Sequence, residues 1–549
     1  MVRRGLFAGA IAVGVSLAAC DDATNPMTTE PPGGFGIDAG GVDSNTPNPS
    51  PTEDGGAIDG SDASTEPPEV IGAYVACTTG NDANTGKSDA PLKTLAKAAT
   101  VATSGTTIVV LDGTCSQDTE PAFNKANGTV TLPDGVSLRA ATPGGVTFTG
   151  VNGYRSGGIT FAGSGRIAGV RFVTFGHAIT ASSGNVTVEG VTFDDIGQGF
   201  PIRAMGTSKV TVKPGGVQNY IGTNQANFAE VSGNGELTMV GGTIRGAKDN
   251  GISGAAQLMV RDSGKLVLDG TTLIDATFSG IAVHNAGTAI VKNKSVLDTV
   301  GSNACCNQAA ISAANTAKIE VIDSTIIRAR ASAIVLRTGT PAVKLEKATV
   351  EAANGVAVSA AIYSDSFPSL QIKDSTIKGN RDGIYLNYAA TLDIQGSSII
   401  DNGSAASCGR GITMNGGSQK NTVNIRSTTI KNNCNGGIAL TGGSVDSVYD
   451  FGTKASAGAN TFTLNNPNAQ PGVANLILRF PAGATVSAVG NTWDPGVQGA
   501  APAGNVTPPP GQYAVPGGET VLEVTGATSG ANYLLGENAA ATVLRLAEQ

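Results

Sequence analysis

The sequence has little charge and few aromatic side chains for a chain of 549 residues. Charged residues make up 14% of it and aromatic residues 5%, whereas long amphipathic helices need many Leu, Glu and Lys residues. Gly is abundant instead, with 76 residues, and Thr, Ser, Asn, Val and Ile are frequent. This composition favours many short strands joined by tight turns.

Positive charge is missing from a long stretch near the N-terminus. No Lys or Arg lies between Gly5 and Gly86, and residues 21–70 contain eleven acidic residues. The whole chain carries −8 and the first 20 residues carry +2, so residues 71–549 carry a net charge of only +1. The near-neutral body therefore gives no indication of nucleic-acid binding, and we expect none.

Residues 21–70 have the composition of a linker. They are rich in Pro, Gly, Ser, Thr, Asn and Asp. Such a segment cannot bury enough apolar surface to fold, and repulsion between its acidic residues extends it. The sequence therefore predicts a disordered acidic tether at 21–70.

Residues 1–20 have the organisation of a targeting segment. Two Arg residues precede an uncharged stretch, 5–19, which at about 15 residues is shorter than the roughly 20 that span a bilayer. The ending Leu17-Ala18-Ala19-Cys20 resembles the signal of bacterial lipoproteins, whose cysteine is acylated. The resemblance implies a lipid anchor on Cys20 in the cell envelope. It leaves open which membrane carries the anchor, with the outer membrane or cell surface as one alternative. The alternative is an ordinary secretory signal.

A unit of three short strands recurs in the middle of the chain. In the unit 369–388, Leu370 and Ile372 alternate with polar residues, a second strand begins at Ile377, and a third contains Ile384. Successive units place apolar residues in two columns. The first column is Phe172, Phe193, Val217, Ile244, Leu273, Val296, Ile326, Val350, Ile377, Ile399 and Ile430. The second is Ile179, Ile202, Ala229, Ile252, Ile281, Ile311, Ile334, Ile362, Ile384, Ile412 and Ile438.

The spacing of the second column defines the architecture. It covers 259 residues in ten steps, close to 26 residues per step. A period in the twenties with several short strands per unit is typical of a stacked solenoid. Apolar residues two apart in each strand then point inward and build aliphatic stacks.

The start of the body carries an ordered set of motifs. A strand at 73–77 is followed by the loop G-N-D-A-N-T-G at 80–86, the segment A-P-L-K-T-L at 90–95 and the strand T-I-V-V-L-D-G at 107–113. This order resembles the opening of bacterial right-handed parallel β-helix proteins of the pectin-lyase-like type, and is similar to an exported β-helix family of unknown function. The resemblance covers about residues 73–500. It implies an all-β, right-handed parallel β-helix of about 12 rungs, where a rung is one turn of the solenoid.

One short helix is predicted before the rungs. Leu92, Leu95, Ala96 and Ala99 share one helical face, and such a helix would cover the open edge of the first rung. We therefore expect a β-helix at 71–500 with an N-terminal capping helix, and a C-terminal β extension or cap at 501–549.

Four of the cysteines are predicted to form two disulfides. Cys408 and Cys434 each lie four residues before a second-column Ile on successive rungs. Neighbouring strands are about 4.8 Å apart, a separation that a disulfide bridges. Cys77 and Cys115 lie near the ends of two early strands and are expected to pair in an exported protein.

Two further cysteines are adjacent in sequence, Cys305 and Cys306. They form either a vicinal disulfide or two thiols. The C-x-x-C spacing of zinc sites is absent, and we predict neither a metal nor another cofactor.

Asparagines recur at one position of the repeat. Asn380, Asn402 and Asn433 each fall three residues after the first column. Stacked Asn in such a turn resembles the asparagine ladder of parallel β-helices, in which side-chain amides bond along the stack. Ligand contact by these amides is the alternative.

Catalytic patterns of polygalacturonase-like enzymes do not fit the sequence. Such enzymes need an Asp pair followed by Gly-His-Gly, but here Gly176-His177-Ala178 precedes the pair Asp194-Asp195. No catalytic residue is therefore predicted. The turn between the two columns does carry mixed charges, including Arg381 and Asp382, and an unrecognised lyase or hydrolase site there remains the alternative.

A stripe of outward-facing residues is the predicted binding surface. The residue after each second-column Ile and the third residue after it should point away from the core. Successive rungs then present Arg337, Tyr363 with Asp365, and Tyr385 with Asn387. Tyr rings beside polar groups can stack on and bond to a sugar chain, and Arg381 and Asp382 are nearby candidates. An ordinary cross-strand Tyr pair is the alternative.

These observations combine into one expectation of function. The chain should be a monomeric, lipid-anchored extracytoplasmic β-helix that binds glycan or protein at the cell envelope without catalysis. A polysaccharide lyase or glycoside hydrolase with a non-standard site is the alternative.

Overall fold

A computed structural model describes most of the chain from residue 68 onward. The described residues are 68–124, 128–151, 157–194, 199–213, 228–245, 256–276, 279–300, 309–351, 360–403, 408–444, 446–453, 455–465, 475–479, 485–488, 490–493, 519–522, 533–535 and 543–548. The sequence features at Cys20, Val217, Ile252, Cys305 and Cys306 lie outside these residues.

The described residues form three parallel sheets that the chain visits in turn. The first sheet consists of Val70–Val75, Thr106–Val110, Ser137–Ala140, Gly165–Ala168, Asn185–Glu189, Lys209–Lys213, Glu236–Val240, Lys265–Asp269, Thr288–Lys292, Lys318–Ile322, Ala342–Glu346, Ser369–Lys373, Thr391–Gln395, Thr422–Arg426, Val448–Asp450, Thr485–Ser487, Glu519–Leu522 and Val543–Glu548. Glu519–Leu522 pairs antiparallel with Val543–Glu548, whereas the other described pairings are parallel.

The second sheet carries the second column. It consists of Val130–Leu132, Gly157–Phe161, His177–Ala181, Ile202–Ala204, Ala229–Val231, Ala256–Val260, Ser279–Val283, Ile311–Asn315, Ile334–Gly339, Ala360–Ser364, Asp382–Leu386, Ile412–Gly417, Ile438–Gly442, Leu476–Arg479 and Tyr533–Leu535. The third sheet, in two segments, consists of Gly113–Cys115, Val146–Thr149, Val170–Val173 and Thr192–Asp194, then Thr243–Arg245, Thr272–Ile274, Val296–Asp298, Thr325–Ile327, Thr349–Glu351, Thr376–Lys378, Ser398–Ile400, Thr429–Lys431, Thr461–Thr463 and Thr492–Trp493.

Together the sheets form an all-β parallel solenoid of about 11 turns, which confirms the predicted fold class. Each strand turns alternate side chains inward, and the inward residues form one continuous apolar core. Ile377, Ile399 and Ile430 pair in register in the third sheet, as the first column predicts.

Two positions of the predicted columns are wrong. In the third sheet Leu297, not Val296, pairs with Leu273 and is fully buried, so the register there is shifted by one residue. In the second sheet Leu258 pairs with Ala229 and with Ile281, in the place predicted for residue 252. Both errors arise because the turns vary in length, and a slip of one residue reverses the face of a strand.

The predicted N-terminal helix is present at Leu95–Val101. The Thr94 hydroxyl accepts a hydrogen bond of 3.1 Å from the Lys97 amide and caps the helix. Leu95, Ala98 and Ala99 are buried, and the helix packs against the first strands of the first and second sheets. Ala96 was predicted on the buried face but is exposed, because the helix is rotated so that Ala98 takes the inward position.

Both predicted disulfides are present. Cys77 bonds to Cys115, and Cys408 bonds to Cys434 on the next rung, with Cα atoms 5.1 and 5.0 Å apart. These separations lie within the range that a disulfide allows.

The asparagine ladder is also present. Asn380 Nδ2 donates to Asn402 Oδ1 at 3.1 Å, and Asn402 Nδ2 donates to Asn433 Oδ1 at 2.9 Å. Asn433 Nδ2 continues the ladder to Asn465 Oδ1 at 2.8 Å, one rung beyond the predicted set. All four side chains are buried, and the ladder satisfies amides that water cannot reach.

Among the residues that the structure describes, no helix has the length and apolar composition needed to cross a bilayer.

Candidate functional site

The outer face of the second sheet contains the predicted stripe. Tyr363 pairs with Val335 on the strand before it and with Tyr385 on the strand after it. The Tyr363 and Tyr385 rings are stacked, with centroids 5.8 Å apart and planes 13° from parallel. The two rings therefore point away from the core, as the alternation of the strands predicts.

Tyr363 points outward but is not on the surface. Only 8% of it is exposed, and Val335 is 1% exposed, because Ala309 and Ala360 pack against them in a small apolar cluster outside the main core. The prediction of two open Tyr faces is wrong for Tyr363. Tyr385 is half-buried against this cluster.

Polar side chains around the Tyr pair form a connected network. The Tyr363 hydroxyl donates to both carboxylate oxygens of Asp365, at 2.9 and 2.8 Å. Asn387 Nδ2 donates to the Tyr363 hydroxyl at 3.0 Å and also to Asp365. Asn415 Nδ2 extends the network to the Tyr385 hydroxyl at 3.3 Å and to Asn387 Oδ1 at 3.4 Å.

Burial and the neighbouring Asp365 carboxylate raise the pKa of the Tyr363 hydroxyl well above its usual value. Tyr363 therefore stays a neutral donor at physiological pH and holds Asp365 in one orientation. Asp365 itself is exposed. Because a carboxylate can accept about four hydrogen bonds, Asp365 keeps acceptor capacity that faces solvent.

Arg337 lies beside this network. Leu336 pairs with Ser364, so Arg337 and Asp365 occupy equivalent positions on neighbouring strands, and Arg337 is exposed. Further along the same face, His284 is partly buried. Burial and the positive charges of Arg261 and Arg337 lower the pKa of His284.

The early rungs carry ion pairs on the same face. Glu230 binds Arg203 at 3.0 Å and Arg261 at 3.5 Å. These partly exposed pairs contribute little to stability. Glu230 thus faces two arginines, and these three side chains carry one net positive charge.

The charged turn places Arg381 and Asp382 together. Their Nε and Oδ2 atoms are 3.9 Å apart, and Asp382 Oδ1 accepts a hydrogen bond of 3.0 Å from the Arg410 amide. Burial raises the pKa of the Asp382 carboxyl against the opposing effect of the Arg410 amide and the Arg381 charge. Asp382 is thus a largely buried acid, with 17% of its side chain exposed.

Sequence reasoning missed an exposed aromatic pair at the edge of the stripe. Phe367 and Tyr388 follow the second-sheet strands of neighbouring rungs, and their ring centroids are 5.5 Å apart. Phe367 is 41% exposed and Tyr388 is 48% exposed. Both lie in turns, where the repeat pattern does not distinguish one residue from another. The signal that could have identified them is the presence of aromatic residues in turns of a chain that has few aromatics.

Chemically, this region combines exposed ring faces with fixed donors and acceptors, which is the composition of a binding site. Among the described residues no group of three or more His, Cys, Asp or Glu side chains is placed to hold a metal ion. The asparagine ladder lies in the interior and contributes nothing to this surface.

Three solved structures are similar to parts of this chain. A pectate lyase, Pel9A, is 13% identical over 59% of this chain and 77% of its own, with a TM-score of 0.33. A rhamnogalacturonan lyase is 14% identical over 61% of this chain and 83% of its own, with a TM-score of 0.33. The PL6 family alginate lyase AlyGC is 12% identical over 73% and 92%, with a TM-score of 0.20. Similarity this weak bears on neither substrate nor mechanism.

None of the curated proteins matches the chain. The family model described as "Right handed beta helix region" matches residues 253–381 and 359–450. This is the part of the solenoid that contains the Tyr pair, the polar network and the exposed aromatic pair. Residues 253–450 are therefore similar to the right-handed β-helix family, in agreement with the all-β parallel solenoid that the described residues form.

Proposed function

We propose that this chain is a lipid-anchored, extracytoplasmic β-helix protein that binds a glycan on the outer face of its second sheet without cleaving it. The observation that supports the proposal is the polar network of Tyr363, Asp365, Asn387 and Asn415. A set of polar side chains fixed by one another is preorganised for a ligand, because little freedom remains to be lost on binding.

The composition of this surface favours a sugar chain. Sugars present many hydroxyl groups that need both donors and acceptors, and the network offers a carboxylate and two amides. Asp365 is exposed, and Asn387 and Asn415 are partly exposed. Binding on the outer face of paired strands needs no rearrangement of the backbone.

A double substitution tests this site. In the full-length chain, Asp365→Ala with Asn387→Ala should weaken binding of the chain's glycan by at least tenfold, because two or more hydrogen bonds to partly buried groups are lost. Binding is measured on a glycan array and then by titration calorimetry.

The fold supplies a matched control for that variant. Asn424 donates to Asp393 at 2.9 Å across neighbouring strands of the first sheet, the same type of pair on a different face. Asp393→Ala with Asn424→Ala should leave binding intact. Equal affinity of both double variants and the parent chain would contradict the proposed site.

The anchor is a separate part of the proposal. The motif ending at Cys20 supports acylation, and more than one acyl chain is needed for stable attachment. Full-length chain expressed in a bacterium should take up labelled fatty acid and sediment with membranes, and Cys20→Ala should do neither. Labelling of the Cys20→Ala chain would refute the anchor.

A second candidate function, carbohydrate cleavage in the charged turn, is favoured by one observation. Asp382 is largely buried, its pKa is raised, and it lies beside Arg381, which are properties that general acids share. Cleavage of any polysaccharide by the parent chain and its loss in Asp382→Asn would establish an enzyme. The absence of cleavage over a panel of acidic and neutral polysaccharides would leave the binding function.

A further inference from the structure

The exposed pair of Phe367 and Tyr388, here called the aromatic shelf, has no structural role that explains it. Both rings keep more than two fifths of their surface in water, and they contact each other at the corner between the second and first sheets. A monomeric soluble surface gains nothing from such a pair. Aromatic residues in this situation are enriched where a ligand binds.

The shelf is held in place by the turns that carry it. The Phe367 amide donates to Gly339 O at 3.1 Å, and the hydroxyls of Ser364 and Ser366 bond to each other in the buried interior of the same turn. On the next rung, the Asn387 amide donates to Ser364 O at 2.9 Å. The backbone that carries Phe367 is therefore fixed before any ligand arrives, which reduces the entropy lost on binding.

The size of the shelf fits a sugar better than a protein partner. An aromatic side chain has roughly 150–250 Å² of surface, so the two partly exposed rings offer on the order of 200 Å². A protein partner needs about 800 Å² on each side. The other exposed large apolar residues among the described residues are Val70, Val101, Val240, Val448 and Leu464, which lie in separate elements or turns.

The charges near the shelf cancel. Arg337 and Asp365 occupy equivalent positions on neighbouring strands and have opposite signs. A site for an acidic polysaccharide would need an excess of cations to offset the repulsion and desolvation of its carboxylates or sulfates. Neutral sugars need instead an apolar surface for the C–H face of the ring and polar groups for its hydroxyl edge.

A polar line leads along the rungs to the shelf. Asn285, Asn315 and Thr338 each follow a second-column residue by four positions in the sequence, as Tyr388 does. A register shift pairs Asn315 with Gly339 rather than with Thr338, and on the next rung this position is the buried Ser366, directly before Phe367. Asn315 Nδ2 donates to Asn285 Oδ1 at 3.0 Å, and Thr338 Oγ1 lies 3.5 Å from Asn315 Oδ1. All three are exposed, so hydroxyl groups of a chain that leaves the shelf would meet amides spaced about 4.8 Å apart.

We infer that the aromatic shelf stacks a sugar ring of a neutral glycan chain, which runs along the rungs over the polar line. This inference rests on the proposed glycan binding. It adds the surface on which a sugar ring stacks, the direction in which the glycan chain runs, and the prediction that the glycan is uncharged. It moves the stacking surface from the covered Tyr363 ring to rings that solvent can reach.

The test measures binding of the full-length chain to oligosaccharides by titration calorimetry. The probes are hexasaccharides of neutral β-linked glucose and mannose, their disaccharides, and an acidic hexagalacturonate. Phe367→Ala with Tyr388→Ala should weaken binding of a neutral hexasaccharide at least tenfold. Val448→Ala is the control, because Val448 is 48% exposed like Tyr388 but lies off the shelf; it should change affinity less than twofold.

Both variants should fold normally, because they remove exposed side chains. We also expect binding of the neutral hexasaccharide to change little between about 0.05 and 0.5 M NaCl, and the disaccharide to bind at least tenfold more weakly than the hexasaccharide.

The outcomes separate this inference from the proposed function. If Asp365→Ala with Asn387→Ala abolishes binding but Phe367→Ala with Tyr388→Ala does not, the role of the aromatic shelf is refuted and the proposed glycan site is retained. Preference for hexagalacturonate, or equal affinity for disaccharide and hexasaccharide, refutes the inference that the ligand is a long neutral glycan. The proposed glycan binding is then retained. Binding of none of the sugars overturns both. Capture of a protein in a shelf-dependent manner, without sugar binding, also overturns both.

Discussion

Glu120 is a carboxyl group in an unusual place. It is fully buried, and its Oε2 atom accepts a hydrogen bond of 3.2 Å from the Ala96 amide in the first turn of the capping helix. Its other oxygen, Oε1, has no hydrogen-bond partner among the described residues. Burial raises the pKa of Glu120 despite the backbone amides that stabilise the charged form, and the Asp82 carboxylate adds to the rise.

The raised pKa predicts a pH dependence of stability. Below the pKa of an unfolded Glu, about 4.3, Glu120 is protonated in both states. As pH rises from there through the folded-state pKa, the unfolded state loses its proton first, and the free energy of unfolding falls. Glu120→Gln keeps the size of the side chain without the charge, so it should remove this decline.

Urea unfolding between pH 4 and 7, compared for the parent and Glu120→Gln chains, measures the effect. Glu69→Gln is the control, because Glu69 is partly exposed and pairs with Arg139. Parallel pH profiles for the parent and Glu120→Gln chains would contradict a buried, destabilising carboxylate.

At the scale of elements, the asparagine ladder joins successive rungs. Asn402 accepts from both the amide and the side chain of Asn380 at 3.1 Å, and donates to Ile377 O at 3.3 Å. Its removal leaves several buried groups without partners, each of which costs about 1–3 kcal/mol.

Asn402→Ala should therefore lower the free energy of unfolding by at least about 2 kcal/mol and reduce the thermal midpoint. Asn424→Ala, which removes an Asn with one hydrogen bond on a partly exposed face, should cost less than about 1 kcal/mol. Calorimetry of the two variants makes the comparison. Similar losses would show that the ladder has no special role.

The Cys408–Cys434 disulfide closes a loop of 26 residues between adjacent rungs. Loop-closure entropy for this length corresponds to about 3.5 kcal/mol of stabilisation in the chain-entropy treatment. The double variant Cys408→Ser with Cys434→Ser should have a free energy of unfolding lower by about this amount, measured by urea unfolding. Under reducing conditions the parent chain should approach the double variant; a remaining gap would point to lost packing rather than to the cross-link.

The sequence predicts these elements because their residues recur at a constant offset from the columns. Asn402 and Cys408 are recognisable by counting from neighbouring isoleucines, and the structure contains both contacts. The register fails at Val296 because turn lengths vary between rungs. The burial of Tyr363 was not predictable, since its cover, Ala309 and Ala360, lies two residues before a second-column Ile, a position that the repeat pattern did not include. Phe367 was missed for the same reason.

At the scale of the whole molecule, the solenoid has interactions mainly between neighbouring rungs. Strands of each sheet pair with the strand before and the strand after them. Stability in such a fold is close to a sum of rung and interface contributions. A destabilising substitution at one end should therefore lower stability only in nearby rungs, whereas in a globular core it would lower stability throughout.

The capping helix allows a direct test. Leu95 is fully buried against the first rung, so Leu95→Ala should cost about 2–5 kcal/mol through the lost contacts and the cavity left behind. Hydrogen exchange should show lost protection in Val70–Val75, which the helix packs against, and unchanged protection in Thr422–Arg426, many rungs away. Val101→Ala, on the exposed side of the same helix, should change neither. Uniform loss of protection along the chain would instead show that the solenoid unfolds as one cooperative unit, because only a shared transition can carry a defect at Leu95 to the far rungs.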